Sequence, residues 1–168
     1  MNRIETERLV LELYTGNDKD YLIGLLTDPA VMKHVDKGVL DIPQAESLWN
    51  KLVNEWYPQG VDTIWAVTAK DDGRYVGNAS IHPRPERKQD WEIGYYLIST
   101  EWKKGFATEL ANRLVRYGFD VLSLPAIYAT VDTDHPGSIH VLEKAGLSLF
   151  RSEYDEQGEF YVYRTIRA

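Results

Sequence analysis

The sequence predicts an α+β fold, with a mixed β-sheet flanked by helices and held in one domain spanning residues 1–168. Three observations carry this prediction. Several short stretches alternate apolar and polar residues, or are crowded with β-branched and aromatic ones, as strands are. Others repeat apolar residues every three to four positions, as helices facing a core do. Read in order, they run as a strand, two or three helices, a meander of strands, then strand, helix, strand, helix and a closing hairpin. A chain of 168 residues, 43% apolar and 27% charged, has the length and composition to bury a core of its own.

Leu9, Leu11 and Leu13 alternate with Val10 and Glu12, so residues 8–14 read as the first strand. Asn17 or Asp18 can cap a helix running to about Thr27, with Tyr21, Leu22, Leu25 and Leu26 inward. Asp28-Pro29 pairs a capping residue with proline at the first helical position, so a short helix starts there. After a loop over 33–41, Pro43 opens a longer helix with its stripe on Ala45, Leu48, Trp49, Leu52, Val53 and Trp56, and Pro58 and Gly60 end it. Residues 63–69 and 75–81 read as strands joined by the hairpin turn Asp71-Asp72-Gly73. Pro83 to Gln89 reads as a charged loop. Beyond the central stretch, Pro125 precedes a strand over 126–131, and a helix over 136–145 ends at Gly146. Residues 147–154 and 159–166 form the last hairpin.

The rest of the chain is organised around residues 90–109, DWEIGYYLISTEWKKGFATE. Trp91 to Ile98 has the residues of a buried strand, and Ser99 and Thr100 end it. Lys103, Lys104 and Gly105 form a basic turn. From Phe106 the apolar positions Ala107, Leu110, Ala111, Leu114, Val115, Gly118, Val121 and Leu122 fall at helical spacing. A strand feeding a glycine turn and then a helix aims several backbone N–H groups at one point. The helix dipole and the lysines add positive charge there, which suits a phosphate or diphosphate. Neither GxGxxG nor GxxxxGK[ST] occurs, so the dinucleotide and P-loop fingerprints are missing and a nucleotide switch is disfavoured.

The spacing is instead Leu97-x4-Trp102-x2-Gly105-x-Ala107. It resembles the acetyl-coenzyme A motif of the GNAT acetyltransferase superfamily, with Trp102 where Gln or Arg is usual and Lys103 where a second Gly is common. Tryptophan there is ordinary in the branch resembling the ribosomal-protein N-terminal (alanine) acetyltransferases. Residues 6–11 (TERLVL), 76–79 (VGNA), 92–95 (EIGY) and 138–147 (SIHVLEKAGL) fit that branch in the right order. The resemblance implies a single GNAT-like domain with splayed central parallel strands, and an acetyl-coenzyme A-dependent N-acetyltransferase that works by direct transfer in a ternary complex.

It also assigns roles. Backbone N–H groups of Lys103, Lys104, Gly105, Phe106, Ala107 and Thr108 would hold the diphosphate, with Trp102 in the same motif. The pantetheine arm would lie between the central strand and the strand over 126–131. A bulge in the first of these would open the gap, and a backbone N–H at Tyr96 or Leu97 would polarise the thioester carbonyl. Glu92, which shares a strand face with Gly94 and Tyr96, is the candidate base, ahead of His82 and His34. An α-amine has a reference pKa near ~8 and a lysine amine near ~10.4, so the second costs about 3 kcal/mol more to neutralise. An Asn before the last helix and a Tyr within it are common in the superfamily. Here those positions are His135 and Leu142, so a tyrosine acid at that place is excluded. The branch's Asn-x2-Ser becomes His135-x2-Ser138, making Ser138 the candidate donor to the leaving sulfur. His135 could reach the pantetheine amide but is a poor helix cap, a role Asp134 would take.

The acceptor implied is a protein or peptide N-terminal α-amine. A polyamine, amino acid or aminoglycoside is the alternative within the enzyme class, and a non-catalytic acyl-coenzyme A-binding module lies outside it. The family draws its acceptor contacts from the loop over 31–41 and the last hairpin. Net charge is -7, divided as -3 over residues 1–88 and -4 over 89–168, so no basic face for nucleic acid is expected. No cysteine is present, which excludes a disulfide framework and a thiolate metal site, and His34, His82, His135 and His140 have no metal-ligand spacing. No run approaches a membrane span and the start lacks a signal peptide's apolar segment, so a cytoplasmic protein without a membrane partner is expected. A homodimer is a common assembly in the family.

Overall fold

The computed structural model describes residues 3–35 and 38–168. The strands are β1 Arg3–Glu5, β2 Leu9–Leu13, β3 Ile64–Ala69, β4 Tyr75–Arg84, β5 Arg87–Leu97, β6 Ala126–Asp132, β7 Ser148–Asp155 and β8 Gly158–Ile166. The helices are α1 Lys19–Leu26, α2 Pro29–Met32, α3 Ile42–Lys51, α4 Phe106–Asp120 and α5 Pro136–Lys144. The strands form one mixed sheet in the order β1-β2-β3-β4-β5-β6-β8-β7. The chain resolves into two compact units, Met1–Ser80 with Tyr95–Phe106, and Ile81–Gly94 with Ala107–Ala168.

In the first unit β1 to β4 pair antiparallel in succession, with Ile4 opposite Leu11, Leu11 opposite Val67 and Trp65 opposite Ala79. The alternation of Leu9, Leu11 and Leu13 sets that register, because a shift of one residue would turn the leucines outward. Between Val67 and Thr68 the register slips, leaving Val76 as an extra residue on β4. Helices α1 and α3 bury Leu22, Leu25, Leu26, Ala45 and Trp49 with Tyr14 and Tyr75. The polar atoms of this core are satisfied within it: the Tyr14 hydroxyl lies 2.7 Å from that of Tyr75 and donates to Asn78 Oδ1 at 3.0 Å. Burial raises both phenols above their ordinary pKa.

Helix starts follow the expected cap chemistry. Asp28 accepts from the Ala30 amide, and Asp41 and Gln44 form a reciprocal capping box at 2.8 and 2.9 Å. Helix α3 continues as one π-helical turn over Leu52–Trp56.

In the second unit β5 and β6 run parallel, β6 pairs antiparallel with β8, and β8 with β7. Among the described residues the register between β5 and β6 holds at a single pair, Glu92 with Tyr128. These are the splayed parallel strands. Helix α4 lies on Ile81 and Ile127: a Cβ on Gly118 would stand 2.5 Å from Ile127 Cδ1 and 3.0 Å from Ile81 Cδ1. Helix α5 ends as expected at Gly146, whose φ is +88°, with the Leu147 amide returned to the Leu142 carbonyl.

Tyr21, expected inward, is 54% exposed and stacks on Tyr75, and three further local expectations change. A short strand, β1, precedes the one expected first. The charged stretch 83–89 is not a loop, since β4 runs to Arg84 and β5 begins at Arg87 with only Pro85 and Glu86 turning. Glu86, Arg87 and Lys88 are exposed while Arg84 is buried, so the stretch shows no alternation that would announce a strand. The third change concerns His135. Its Nδ1 accepts the Ser138 amide at 3.0 Å, so it is the cap of α5 and Asp134 is not. Within the loop over 31–41, Asp36 and Lys37 lie outside the described residues.

Candidate active site

The basic turn and its surroundings belong to the first unit. Strand β5 ends at Leu97, and one 3-10 turn over Ser99–Glu101 leads into Trp102. The Trp102 indole N–H donates to the Leu97 carbonyl at 2.9 Å, tying the turn back to the end of the strand. This accounts for a tryptophan at that position. Past it, φ is +61° at Lys103 and +83° at Gly105, and Lys104 between them does not share the positive φ. Alternating the sign of φ points successive amides into one concavity, the arrangement of an anion-binding nest.

Helix α4 starts at Phe106, so the amides of Phe106, Ala107 and Thr108 have no intrahelical acceptor. Gly105 is required on two grounds. Its φ suits only glycine, and a Cβ there would lie 3.2 Å from Arg8 Nη2.

Arg8 is the residue sequence reasoning missed at this turn. Its Nη1 donates to the Lys104 carbonyl at 2.9 Å, and its guanidinium lies 4.5 Å above the Phe106 ring. It brings a fixed cation from the start of the chain to the mouth of the nest. The two lysines differ. Lys104 pairs at 3.0 Å with Glu101, a carboxylate only 4% exposed that also takes two bonds from Arg74, at 2.8 and 3.2 Å. The Arg74 hydrogen bonds, with that of Lys104, hold Glu101 below the usual carboxylate range despite its burial. Lys103 is exposed and without an ion-pair partner among the described residues.

Upstream, Tyr96 packs against the first unit's core. Its carbonyl and the Leu97 backbone crowd Gly77, where a Cβ would strike the Tyr96 oxygen and lie 2.9 Å from Leu97 Cα. Glycine in the VGNA stretch is therefore a matter of backbone approach.

The second unit holds Glu92, His135 and Ser138. Glu92 is 17% exposed, with Arg84 Nε 3.6 Å and His82 Nε2 3.9 Å from its carboxylate oxygens. Arg84, 8% exposed, also donates to Glu153 at 2.9 Å, and Arg151 donates to the same carboxylate at 3.1 Å. Burial pushes Glu153 up, but the two guanidiniums outweigh it and leave the carboxyl below its usual range. Tyr128, opposite Glu92, meets Phe150 edge-on, and Arg151 and Arg164 lie 4.9 and 3.8 Å from the Phe150 ring centre. Sequence reasoning found Glu92 and weighed His82 but found none of the arginines, since the members come from five separate strands, β4 to β8, with no local signal. Ser138 sits in the first turn of α5, its amide held by His135. Nδ1 of His135 is the acceptor there, so in the neutral ring Nε2 carries the proton.

Comparison with known proteins shows the family and the fold. The family model for the acetyltransferase (GNAT) domain matches residues 8–148. An uncharacterised N-acetyltransferase of Bacillus licheniformis, p20, is 30% identical over 143 residues, covering 84% of this chain and 80% of that protein. The protein YkkB of Bacillus subtilis is 32% identical over 149 residues, covering 86% and 84%. Among solved structures, the Bacillus anthracis acetyltransferase of the GNAT family superposes with a TM-score of 0.83 at 23% identity, covering 98% of both chains. The ribosomal-protein-S5-alanine acetyltransferase of Vibrio fischeri gives 0.79 at 16%, covering 98% and 96%. The spermidine N-acetyltransferase of Vibrio cholerae, solved with CoA and spermine, gives 0.78 at 18%, covering 94% and 95%. On the match over residues 8–148, the chain belongs to the GNAT family of acetyl-coenzyme A-dependent N-acetyltransferases.

Proposed function

We propose that this chain acts as one N-acetyltransferase domain that moves an acetyl group from acetyl-coenzyme A to a protein or peptide N-terminal α-amine, by direct transfer with both substrates bound. The cofactor side rests on fit. A Cβ on Gly105 would stand 3.2 Å from Arg8 Nη2, and the amides of Phe106 to Thr108 lack intrahelical acceptors. Coenzyme A supplies the thioester when bound. The chain's own part is to hold the diphosphate at Lys103 to Thr108, with Arg8 and Lys103 adding charge, while Trp102 braces the turn against Leu97. Backbone N–H groups at Tyr96 and Leu97 are assigned to orient and polarise the carbonyl. Glu92 is assigned to take the proton of the attacking nitrogen, and Ser138 to hydrogen-bond the leaving sulfur. His135 fixes the Ser138 amide and so positions that residue.

One observation carries the choice of acceptor: Arg84 and Arg151, with Arg164 over the same ring, stand around Glu92 and Glu153. Three guanidiniums against two carboxylates repel the several ammonium groups of a polyamine, whereas an α-amine brings a single positive charge. The test is thiol release from acetyl-coenzyme A with three acceptors: peptides with a free α-amine and no lysine, α-acetylated peptides with one lysine, and spermidine. Turnover confined to the first group is expected. Turnover of spermidine with none of the α-amine peptides would overturn the acceptor assignment.

A further inference from the structure

We infer that the acceptor carries a carboxylate close to its reactive amine, recognised by Arg84 and Arg151 in the second unit. This rests on the acetyl-transfer reading above. The observation is a pair of unfinished guanidiniums. Arg84 uses Nε toward Glu92 and Nη2 toward Glu153, and its Nη1 is shielded from solvent with no acceptor. Arg151 uses Nε toward Glu153, and its Nη2 is likewise shielded and without an acceptor. The same carboxylate anchors both groups, so both unfilled donors flank Glu153. Buried charged donors are nearly always satisfied, because leaving one unpaired costs the full desolvation of that N–H. Here two such donors belong to arginines that share Glu153, and one of them, Arg84, also faces Glu92, the candidate base.

A second carboxylate completes this set in charge and in geometry. Guanidiniums offer parallel N–H groups that match the two oxygens of a carboxylate. Glu153 already accepts from Arg84 Nη2 on both oxygens, at 2.9 and 3.4 Å, and from Arg151 Nε at 3.1 Å, and three cations accompany two anions, so one further negative charge balances the cluster. Against Arg151 lies Phe150, the extra residue where the register slips between Leu149 and Arg151. It is 38% exposed and its ring spans Arg151 and Arg164. A bulge at that point gives the ring an irregular backbone on which to re-aim. The ligand chemistry is thus a primary amine with a carboxylate within a few bonds. A free amino acid provides it, and so does a peptide whose first or second residue is acidic.

The experiment uses matched acceptors differing only in that charge, with thiol release from acetyl-coenzyme A as readout. Glutamate is compared with glutamine, glycine with glycinamide, and peptides beginning Ala-Glu with peptides beginning Ala-Gln. For at least one pair the carboxylate member is expected to show kcat/KM at least tenfold higher, mainly through KM. The pair that responds tells a free amino acid from a peptide. In Arg84→Met and Arg151→Gln the ratio within that pair falls to within about twofold. Arg151 is the more exposed, so its variant serves if Arg84→Met does not fold. Acetylation of some amine with equal kcat/KM in every pair overturns this inference alone and leaves the two donors bonded to internal water. Failure of every amine to raise thiol release above the amine-free rate would overturn the transfer reading and this inference with it.

Discussion

Replacing Gly105 with glutamate should abolish coenzyme A binding and leave the protein folded. The position has φ of +83°, so any side chain costs about 1–2 kcal/mol in backbone strain. A new Cβ would lie 3.2 Å from Arg8 Nη2, tight enough to move the guanidinium but not the backbone. A fall in Tm of roughly 3–8 °C follows from that strain for a chain of this size. The effect on binding is larger. The carboxylate can pair with Arg8, removing the fixed cation of the nest, and it presents a like charge to the diphosphate. Two unit charges at ~4 Å repel by about 4 kcal/mol at an effective dielectric near 20, which is a loss of about a thousandfold in affinity. Gly105→Ala carries the strain without the charge and should lose no more than about tenfold. Calorimetric titration with coenzyme A and with pantetheine, which has no diphosphate, separates the two effects, since only the first should weaken in Gly105→Glu. Unchanged coenzyme A affinity in a folded Gly105→Glu protein would refute the placement of the diphosphate at this turn.

Glu101→Gln should destabilise the chain by about 1–3 kcal/mol at pH 7, the worth of its charged hydrogen bonds, and no more, because Arg74 keeps Asp71 and Asp72 at 2.7 and 2.9 Å. The Glu101 carboxyl is depressed in the fold, so its contribution is present above the unfolded-state pKa and disappears as pH falls through the folded value. The gap between variant and parent in urea unfolding should therefore narrow progressively as pH falls below the unfolded-state pKa, and a gap unchanged through the acid range would contradict the pairing. Glu92→Gln should cut kcat by about a hundredfold or more, within the range of a general base, while coenzyme A affinity stays within a few fold. Parent and variant with equal rates over pH 6–9 would remove Glu92 as base. Gly118→Ala should cost about 1–3 kcal/mol by overpacking α4 against Ile127 and Ile81, and a denaturation midpoint at or above the parent's would show that the helix shifts freely.

Local pattern determined a good deal of this protein. Leucine alternation marked β2, Asp28-Pro29 and Pro43 marked the starts of α2 and α3, and Gly146 marked the end of α5. The spacing from Leu97 to Ala107 pointed to the basic turn proposed to hold the diphosphate, because strand, turn and helix there are contiguous and their chemistry is read within one window. The same window could not distinguish Lys103 from Lys104. Their difference comes from Glu101 being held by Arg74, a residue 27 positions away. Nor could it find Arg8, which reaches the Lys104 carbonyl across 96 positions. His135 was misread because capping statistics describe side chains on average, whereas its ring nitrogen happens to meet the Ser138 amide. The arginine cluster around Glu92 left no trace in any window, being assembled from strands β4 to β8 and from the slip in register that places Phe150. Hydrogen-bonding preferences along a contiguous backbone are written into neighbouring residues. Ion pairs between strands depend on which strands lie side by side and in what register, and only the folded chain decides that.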